Sequence, residues 1–301
     1  MTVGRFAPSP SGRMHLGNIF TALLAWLSAR ADGGEFVLRI EDLDPERSRT
    51  EYAQAIRDDL HWLGLNWDRE MPLQSTRAPV YAAQFARLRE LGLIYPCFCT
   101  RNELHAASAP HASDGTLLYA GTCRSLTPAQ IAQKTRSPAW RIRVPEETIS
   151  FRDGVFGELS QNLATECGDF IIRRSDGVFA YQLAVVCDDA MGGITQVVRG
   201  CDLLASTPRQ LWLERELGFV QPDYFHVPLL VAPDGRRLSK RERDLDMEHL
   251  RRRYTPEKLI GRLAFLAGIQ PSDEPVSAAE LSHEFSWSVI HKNSIPISVE
   301  F

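Results

Sequence analysis

The chain has 301 residues, with 34 Lys and Arg against 38 Asp and Glu, and a formal net charge of −4. This size and an apolar share of 44% suit one large or two smaller globular domains. The mild acidity excludes a global electrostatic pull on nucleic acid, while local basic patches remain free to act. No run of about eighteen or more apolar residues occurs, so no membrane partner is expected. The N-terminus lacks a basic-then-apolar leader, and the expectation is a cytoplasmic protein. Its six cysteines are then buried thiols or metal ligands, not a disulfide framework.

The first element is "GRFAPSPSGRMHLGN", Gly4 to Asn18. It predicts a short strand, a loop rich in Gly and Pro, and a helix whose first turn carries His15, Gly17 and Asn18. Ile19, Leu23, Trp26, Leu27 and Arg30 follow at helical spacing, with the apolar positions on one face, and Asp32-Gly33-Gly34 supplies a stop. Backbone N–H groups at a helix start attract anions and small residues let a ligand approach, which suggests a phosphate-bearing ligand. An ordinary βα turn is the plainer reading of the same stretch.

"EFVLRIEDLDP" reads as a strand running into an acidic loop. A helix on Tyr52, Ile56, Leu60 and Leu63 follows, stopped by Gly64, and another runs from about Arg77 to Leu91 on Tyr81, Phe85 and Leu88. Strand and helix in alternation imply an α/β sheet. From Tyr95 to about Arg136 the composition turns small, polar and irregular, as expected of an inserted subdomain. "FRDGVF" and "RRSDGVFAY" carry hairpin signals, each with Asp-Gly between β-prone flanks. "ITQVVRG" predicts a strand and "STPRQLWLERELG" a capped helix with Pro in its first turn. "FHVPLLVAPDGRRLSKRER" predicts a strand, a Pro-Asp-Gly turn and a basic loop. After Asp244 the pattern is helical, with Leu259, Leu263 and Phe265 as apolar positions, and then an irregular tail.

A basic loop such as "RRLSKRER", Arg236 to Arg243, is by itself usually a solvated surface. It gains meaning as a distant partner of "MHLGN", because an ATP-using enzyme needs a cradle for the nucleotide and a cation for the departing pyrophosphate. Lys240 is a mobile point charge suited to the second task. The pair "MHLGN" and "RLSKR" resembles the two signatures of class I aminoacyl-tRNA synthetases. "LRIEDLDPERS", "GLNWD", "FAYQLAVVCDDAMGGITQVVRG" and "STPRQ" extend the resemblance to the glutamyl-tRNA synthetase catalytic core, from Val3 to Arg243 in the same order. Leu16 and Asn18 depart from the first signature, which normally has Ile and a second His there. Asn can donate a hydrogen bond but carries no charge.

The resemblance implies a Rossmann-like α/β catalytic domain that activates glutamate. The substrate carboxylate attacks the α-phosphate of ATP, giving glutamyl-adenylate and pyrophosphate, with no enzyme nucleophile and with Mg²⁺ accompanying the ATP. By similarity, the catalytic contacts are His15 and Lys240, with Gly17 and Asn18 completing the ATP site. Arg5 and Arg199 supply guanidinium groups for carboxylate, Glu41 and Ser9 face the ammonium, and Tyr181 offers a hydroxyl. Phe6, Ala7 and Pro8 complete the glutamate site.

Cys97 and Cys99, with Cys123 in "YAGTC", suit a structural zinc ion that staples a segment lacking its own core. On residue type alone His105 or His111 would be the fourth ligand; the resemblance implies Tyr119 instead. Cys167, Cys187 and Cys201 are expected as buried small side chains. Only about sixty residues follow Lys240, where a full glutamyl-tRNA synthetase carries an anticodon-binding region. That and the Cys-x-Cys…Tyr-x₃-Cys pattern resemble the short paralogues that transfer glutamate to the queuosine of tRNA(Asp). The implied layout is two catalytic halves, 1–94 and 137–243, around a zinc-binding insert at 95–136, then a short helical domain at 244–301. A monomer is the default expectation. Arg236, Arg237, Arg241, Arg243 and the Arg251–Arg253 run would follow the tRNA backbone. A shortened glutamyl-tRNA synthetase acting on the 3′ end and a non-catalytic tRNA-binding module are the competing readings.

Overall fold

Short buried strands alternate with helices in the first third of the chain, as the residue pattern requires. In this computed structural model, residues 1–100, 103, 118–236 and 245–297 are described. Lys240, Arg237, Arg241, Arg243, His105 and His111 lie outside them. The elements in order are β1 (Val3–Phe6), α1 (Leu16–Ala31), β2 (Glu35–Leu38), α2 (Thr50–Trp62), β3 (Arg69–Glu70), α3 (Ala78–Glu90) and β4 (Ile94–Cys97). There follow α4 (Pro128–Ala132), β5 (Ala139–Ile142), β6 (Thr148–Asp153), β7 (Gly157–Asn162), β8 (Ile171–Arg173), α5 (Tyr181–Met191), β9 (Gln196–Gly200) and α6 (Thr207–Leu217). The last are β10 (Asp223–Val227), β11 (Leu230–Val231), α7 (Met247–Arg253), α8 (Pro256–Ala267), α9 (Ala278–Ser282) and β12 (Ile295–Pro296).

The main sheet has seven strands in the order β3-β2-β1-β9-β10-β6-β7, all parallel to their neighbours except β7, which returns antiparallel from β6. β4, β5 and β8 form a separate antiparallel sheet, and β11 pairs with β12. The chain thus has a doubly wound α/β core carrying a smaller antiparallel sheet. α1 packs against β1, β2, β9 and α9. It is buried almost all round, at every position from Ala22 to Ala29, rather than on one face as its spacing suggested. A helix of "IFTALLAWLSA" has few polar residues to offer water on any side, which suits a central position.

Three other local expectations change. The second arm of "RRSDGVFAY" makes only one bridge, Arg173 to Phe179, before α5 begins at Tyr181. Tyr181 therefore opens a helix instead of standing on a strand. Ser206 precedes α6 but makes no side-chain cap; its hydroxyl accepts from Gln182 Nε2 at 3.1 Å. Phe265 is 47% exposed, because it lies about 200° around the helix from the buried Leu263. The real buried face of α8 is Leu259, Ile260, Leu263, Ala264 and Ala267.

The "FRDGVF" hairpin does form, and it closes the sheet edge as β6 and β7. Its Gly154 lies against the ring of Phe225, where an added Cβ would come within 2.0 Å. Phe225 is itself stacked on Trp287, with ring centroids 4.5 Å apart, and has little room to yield. The turn is therefore held tightly onto β10.

Candidate active site

In an open parallel sheet, ligands bind beyond the carboxyl ends of the strands where the strand order reverses. Here that point is β1, with β2 on one side and β9 on the other. A cavity of about 620 Å³ opens there. Arg5, Phe6, Ala7, Pro8 and Ser9 line it from the end of β1, Glu41 from beyond β2, Arg199 from β9, and Tyr181 from the start of α5. His15, Gly17 and Asn18 line it from the start of α1. The glutamate- and ATP-site residues expected from the sequence that lie within the described chain therefore line one space.

The arginines of this cavity are buried, and their charges need partners. Arg5, 3% exposed, donates from Nε to Asp189 Oδ1 at 3.3 Å and from Nη1 to the Val198 carbonyl at 3.1 Å. The same Asp189 oxygen accepts from Arg39 Nη1, and Arg39 Nη2 donates to Glu41 at 3.0 Å. Two cations and two anions thus alternate, with Arg5 and Glu41 lining the cavity and Asp189 and Arg39 joining them. Burial would raise the Asp189 carboxyl, but Arg39 and Arg5 outweigh it and hold it below the usual carboxylate range. For Glu41 burial wins over Arg39, and its pKa is raised.

Arg199, 5% exposed, has neutral hydrogen-bond partners among the described residues. Its Nε donates to His226 Nε2 at 3.0 Å, Nη1 to Gln210 Oε1 at 2.6 Å and Nη2 to Thr207 Oγ1 at 2.8 Å. A guanidinium has five N–H donors, so two remain for a ligand in the cavity it lines.

At the helix start His15 is the N-cap of α1, and its Nδ1 accepts the Gly17 N–H at 3.1 Å. Asn18 Oδ1 accepts the His15 N–H at 3.1 Å in return. A Cβ on Gly17 would fall 3.1 Å from the imidazole, so Gly17 makes room for the folded-back ring. Desolvation lowers the His15 pKa, which favours the neutral ring at the cavity edge.

A second cluster lies on the small sheet. The sulfurs of Cys97, Cys99 and Cys123 sit within 4.8 Å of one another. The Tyr119 hydroxyl is 3.5 Å from Cys97 Sγ and 3.6 Å from Cys99 Sγ, while Cys99 and Cys123 are 3.6 Å apart. Arg141 donates to Cys97 Sγ at 3.3 Å and stacks 3.9 Å over the Tyr119 ring. Elsewhere Cys167 and Cys187 are buried, but Cys201 is only half-buried.

Sequence reasoning missed Asp189, Arg39, His226 and Asp153. Two of them had an available signal. Asp188 and Asp189 are adjacent acids on the apolar helix α5, and His226 stands in an apolar strand. Such residues are buried only with partners.

A family profile described as "tRNA synthetases class I (E and Q), catalytic domain" matches residues 1–297. The chain belongs to that family, and it is a ligase of the aminoacyl-tRNA synthetase type. Among its relatives, the glutamyl-Q tRNA(Asp) synthetase of Nitratidesulfovibrio vulgaris is 49% identical over 91% of this chain and 89% of its own length. That of Symbiobacterium thermophilum is 46% identical over 100% and 97%. The crystal structure of a glutamate tRNA ligase from Elizabethkingia meningosepticum in complex with its amino acid matches with a TM-score of 0.85 at 29% identity. That match covers 99% of this chain and 67% of the other. The resemblance to the short paralogues and the class I synthetase fold are borne out. No described helix is long and apolar enough to cross a membrane.

The two carboxylates of this network should affect stability in opposite ways. Asp189 has a depressed folded pKa, so its contribution is complete above the unfolded carboxylate pKa, about 4, and is lost as pH falls below it. Glu41 has a raised one, so its ionisation opposes folding as pH climbs from about 4. Asp189→Asn is expected to cost about 3–5 kcal/mol, since it removes the carboxylate that two buried guanidinium groups share. Glu41→Gln is expected to match or exceed the parent's stability at about pH 7, by the same linkage. Urea unfolding across the acid range measures both, and an Asp189→Asn protein as stable as the parent refutes the network's role.

Proposed function

We propose that this protein activates glutamate with ATP in the absence of tRNA and transfers it to the queuosine of the tRNA(Asp) anticodon, in the cytoplasm. One observation carries the activation step: two buried guanidinium groups and one carboxylate share a cavity with a helix start. That set complements a molecule with two carboxylates and an ammonium lying beside a polyphosphate. Arg5 and Arg199 hold carboxylate, Glu41 and Ser9 the ammonium, and Tyr181 contributes its hydroxyl. Phe6, Ala7 and Pro8 shape the wall. His15, Gly17, Asn18 and Lys240 serve the nucleotide, whose Mg²⁺ is bound through phosphate oxygens.

The acceptor rests on the relatives' name, since a catalytic cavity of this kind does not by itself choose between a tRNA 3′ end and an anticodon base. Single-stranded loop bases can be splayed out of a stack, and Arg236 with Arg251–Arg253 offers cations for the adjoining backbone. The domain layout we propose keeps the catalytic halves at 1–94 and 137–243, the insert at 95–136 and the helical domain at 244–301.

The cysteine cluster fits zinc. A tetrahedral ion with Zn–S bonds of about 2.3 Å places its ligand atoms roughly 3.8 Å apart, near the 3.5–3.6 Å separations at Cys97, Cys99, Cys123 and Tyr119. Burial and then the neighbouring thiols push Cys99 up to about 11, a cost that a divalent cation offsets. Zinc would staple the insert, and Arg141 would balance part of the charge of its ligands.

Two experiments test these assignments. For the metal, the expected content is one zinc per chain, lost in Cys99→Ser and unchanged in His105→Ala and His111→Ala. Loss in either histidine variant, with retention in Tyr119→Phe, overturns the ligand set. For the reaction, glutamate-dependent pyrophosphate exchange should proceed without tRNA and fall about 10²–10³-fold in Lys240→Ala. Labelled glutamate should then reach only queuosine-containing tRNA(Asp), survive periodate oxidation of the 3′ end, and be released in an anticodon-loop fragment. Label on the terminal adenosine returns the chain to ordinary glutamyl-tRNA synthetase activity.

A further inference from the structure

The "FRDGVF" hairpin has a feature that closing a sheet edge does not require. Asp153, at its turn, is 1% exposed and is linked to the cavity-lining Arg199 through His226. Its Oδ1 accepts the N–H groups of Val155 at 2.9 Å and Phe156 at 2.8 Å. Its Oδ2 accepts the His226 N–H at 3.1 Å and faces His226 Nδ1 at 2.6 Å. His226 is fully buried, and its other ring nitrogen faces Arg199 Nε.

The protons in this chain have one consistent arrangement. Arg199 Nε always carries hydrogen, so His226 Nε2 must be bare and accept it. Nδ1 then carries the ring proton and donates it to the Asp153 carboxylate. Thr207 fits the same scheme: its hydroxyl accepts from Arg199 Nη2 and donates to His226 Nε2, 3.2 Å away. An imidazolium here would set a second donor, and a second cation, against Arg199. Burial and the guanidinium both lower the His226 pKa, in agreement with a neutral ring.

This arrangement also treats charge differently from the one under Arg5. Asp189 touches Arg5 directly, whereas Asp153 reaches Arg199 only through an imidazole. Glu214, buried near Arg199, is pushed up to about 8, chiefly by burial, which favours its uncharged form at neutral pH. It accepts from Tyr224, whose ring lies 5.0 Å from the Arg199 guanidinium. Arg199 thus keeps a counter-charge one imidazole away, while its hydrogen-bond partners among the described residues are neutral.

We propose that Asp153 and His226 are positioning residues for substrate. They hold one imidazole tautomer whose Nε2 fixes the guanidinium of Arg199, so that its remaining N–H groups meet a carboxylate of the amino acid. This rests on the reading that Arg199 binds glutamate.

In the parent protein, nitrogen NMR of labelled histidine should show His226 protonated at Nδ1 and bare at Nε2 at neutral pH. The opposite tautomer, or an imidazolium, overturns the proposal. Equilibrium dialysis with labelled glutamate provides the functional arm. His226→Gln keeps an acceptor where Nε2 stood, whereas His226→Asn is too short to reach Arg199. Asp153→Asn puts a donor opposite Nδ1 and forces the wrong tautomer. Glutamate binding should weaken about 10–100-fold in His226→Asn and Asp153→Asn, the scale of one hydrogen bond to a charged group. His226→Gln should stay near the parent, and ATP binding should be unchanged in all three. Parent-like glutamate binding by His226→Asn, or equal losses in the Gln and Asn variants, overturns the positioning role. Arg199→Lys separates the two levels: if it binds glutamate as the parent does, the glutamate reading of the cavity itself fails.

Discussion

The cavity depends on keeping guanidinium groups charged in a place where water cannot solvate them. Arg5 and Arg199 stand on adjacent parallel strands, and Arg39 lies behind them with no exposed surface. An unpaired buried charge is very costly, so the sheet can hold these side chains only with anions and acceptors packed around them. Asp189 serves Arg5 and Arg39 together, and Arg39 in turn meets Glu41. Asp188, the neighbour of Asp189, is tied instead to Arg77, Gln74 and Tyr81, which anchors α5 to α3. The position of α5, and so of Tyr181 at its start, follows from this charge balance.

The start of α1 solves a different problem. The first N–H groups of a helix have no partners in the helix itself and need capping. The His15 ring accepts the Gly17 N–H, the His15 carbonyl accepts those of Asn18 and Ile19, and Asn18 Oδ1 accepts the His15 N–H, which fixes the turn at the cavity edge. Asn18 in the place of the usual second histidine is thus occupied in capping, and an amide oxygen performs that task without carrying charge. Gly17 is small because the His15 ring occupies the space a side chain would take.

The small sheet shows how an irregular segment acquires order. Residues 118–136 contribute few buried apolar side chains, and their main anchors are the sulfur cluster and Arg141. Tyr95 and Arg141 both reach Asp169, so the cluster is braced against the strand pair that carries it. The sheet draws β5 and β8 from beyond the segment whose composition marked it, because isolated two-stranded ribbons are seldom stable alone.

By itself, the sequence determined what is local or signalled by spacing. The loop before α1, the alternation of strand and helix, the "FRDGVF" hairpin and the three clustered cysteines were all legible, since each depends on neighbours within a few residues or on a recognisable pattern. The residues lining the cavity were legible only as a set, through their order along the chain. Tertiary structure decided which buried charges meet. Asp189 finds Arg39 across 150 residues, and Asp153 finds His226 across 73. No periodicity encodes such pairs, because a salt bridge or an imidazole tautomer depends on where two strands and a helix come to rest. The same holds for α1, whose burial on every side follows from the sheet and the α9 helix closing around it. A sequence can show that a charge is present; only the fold supplies the partner that makes its burial tolerable.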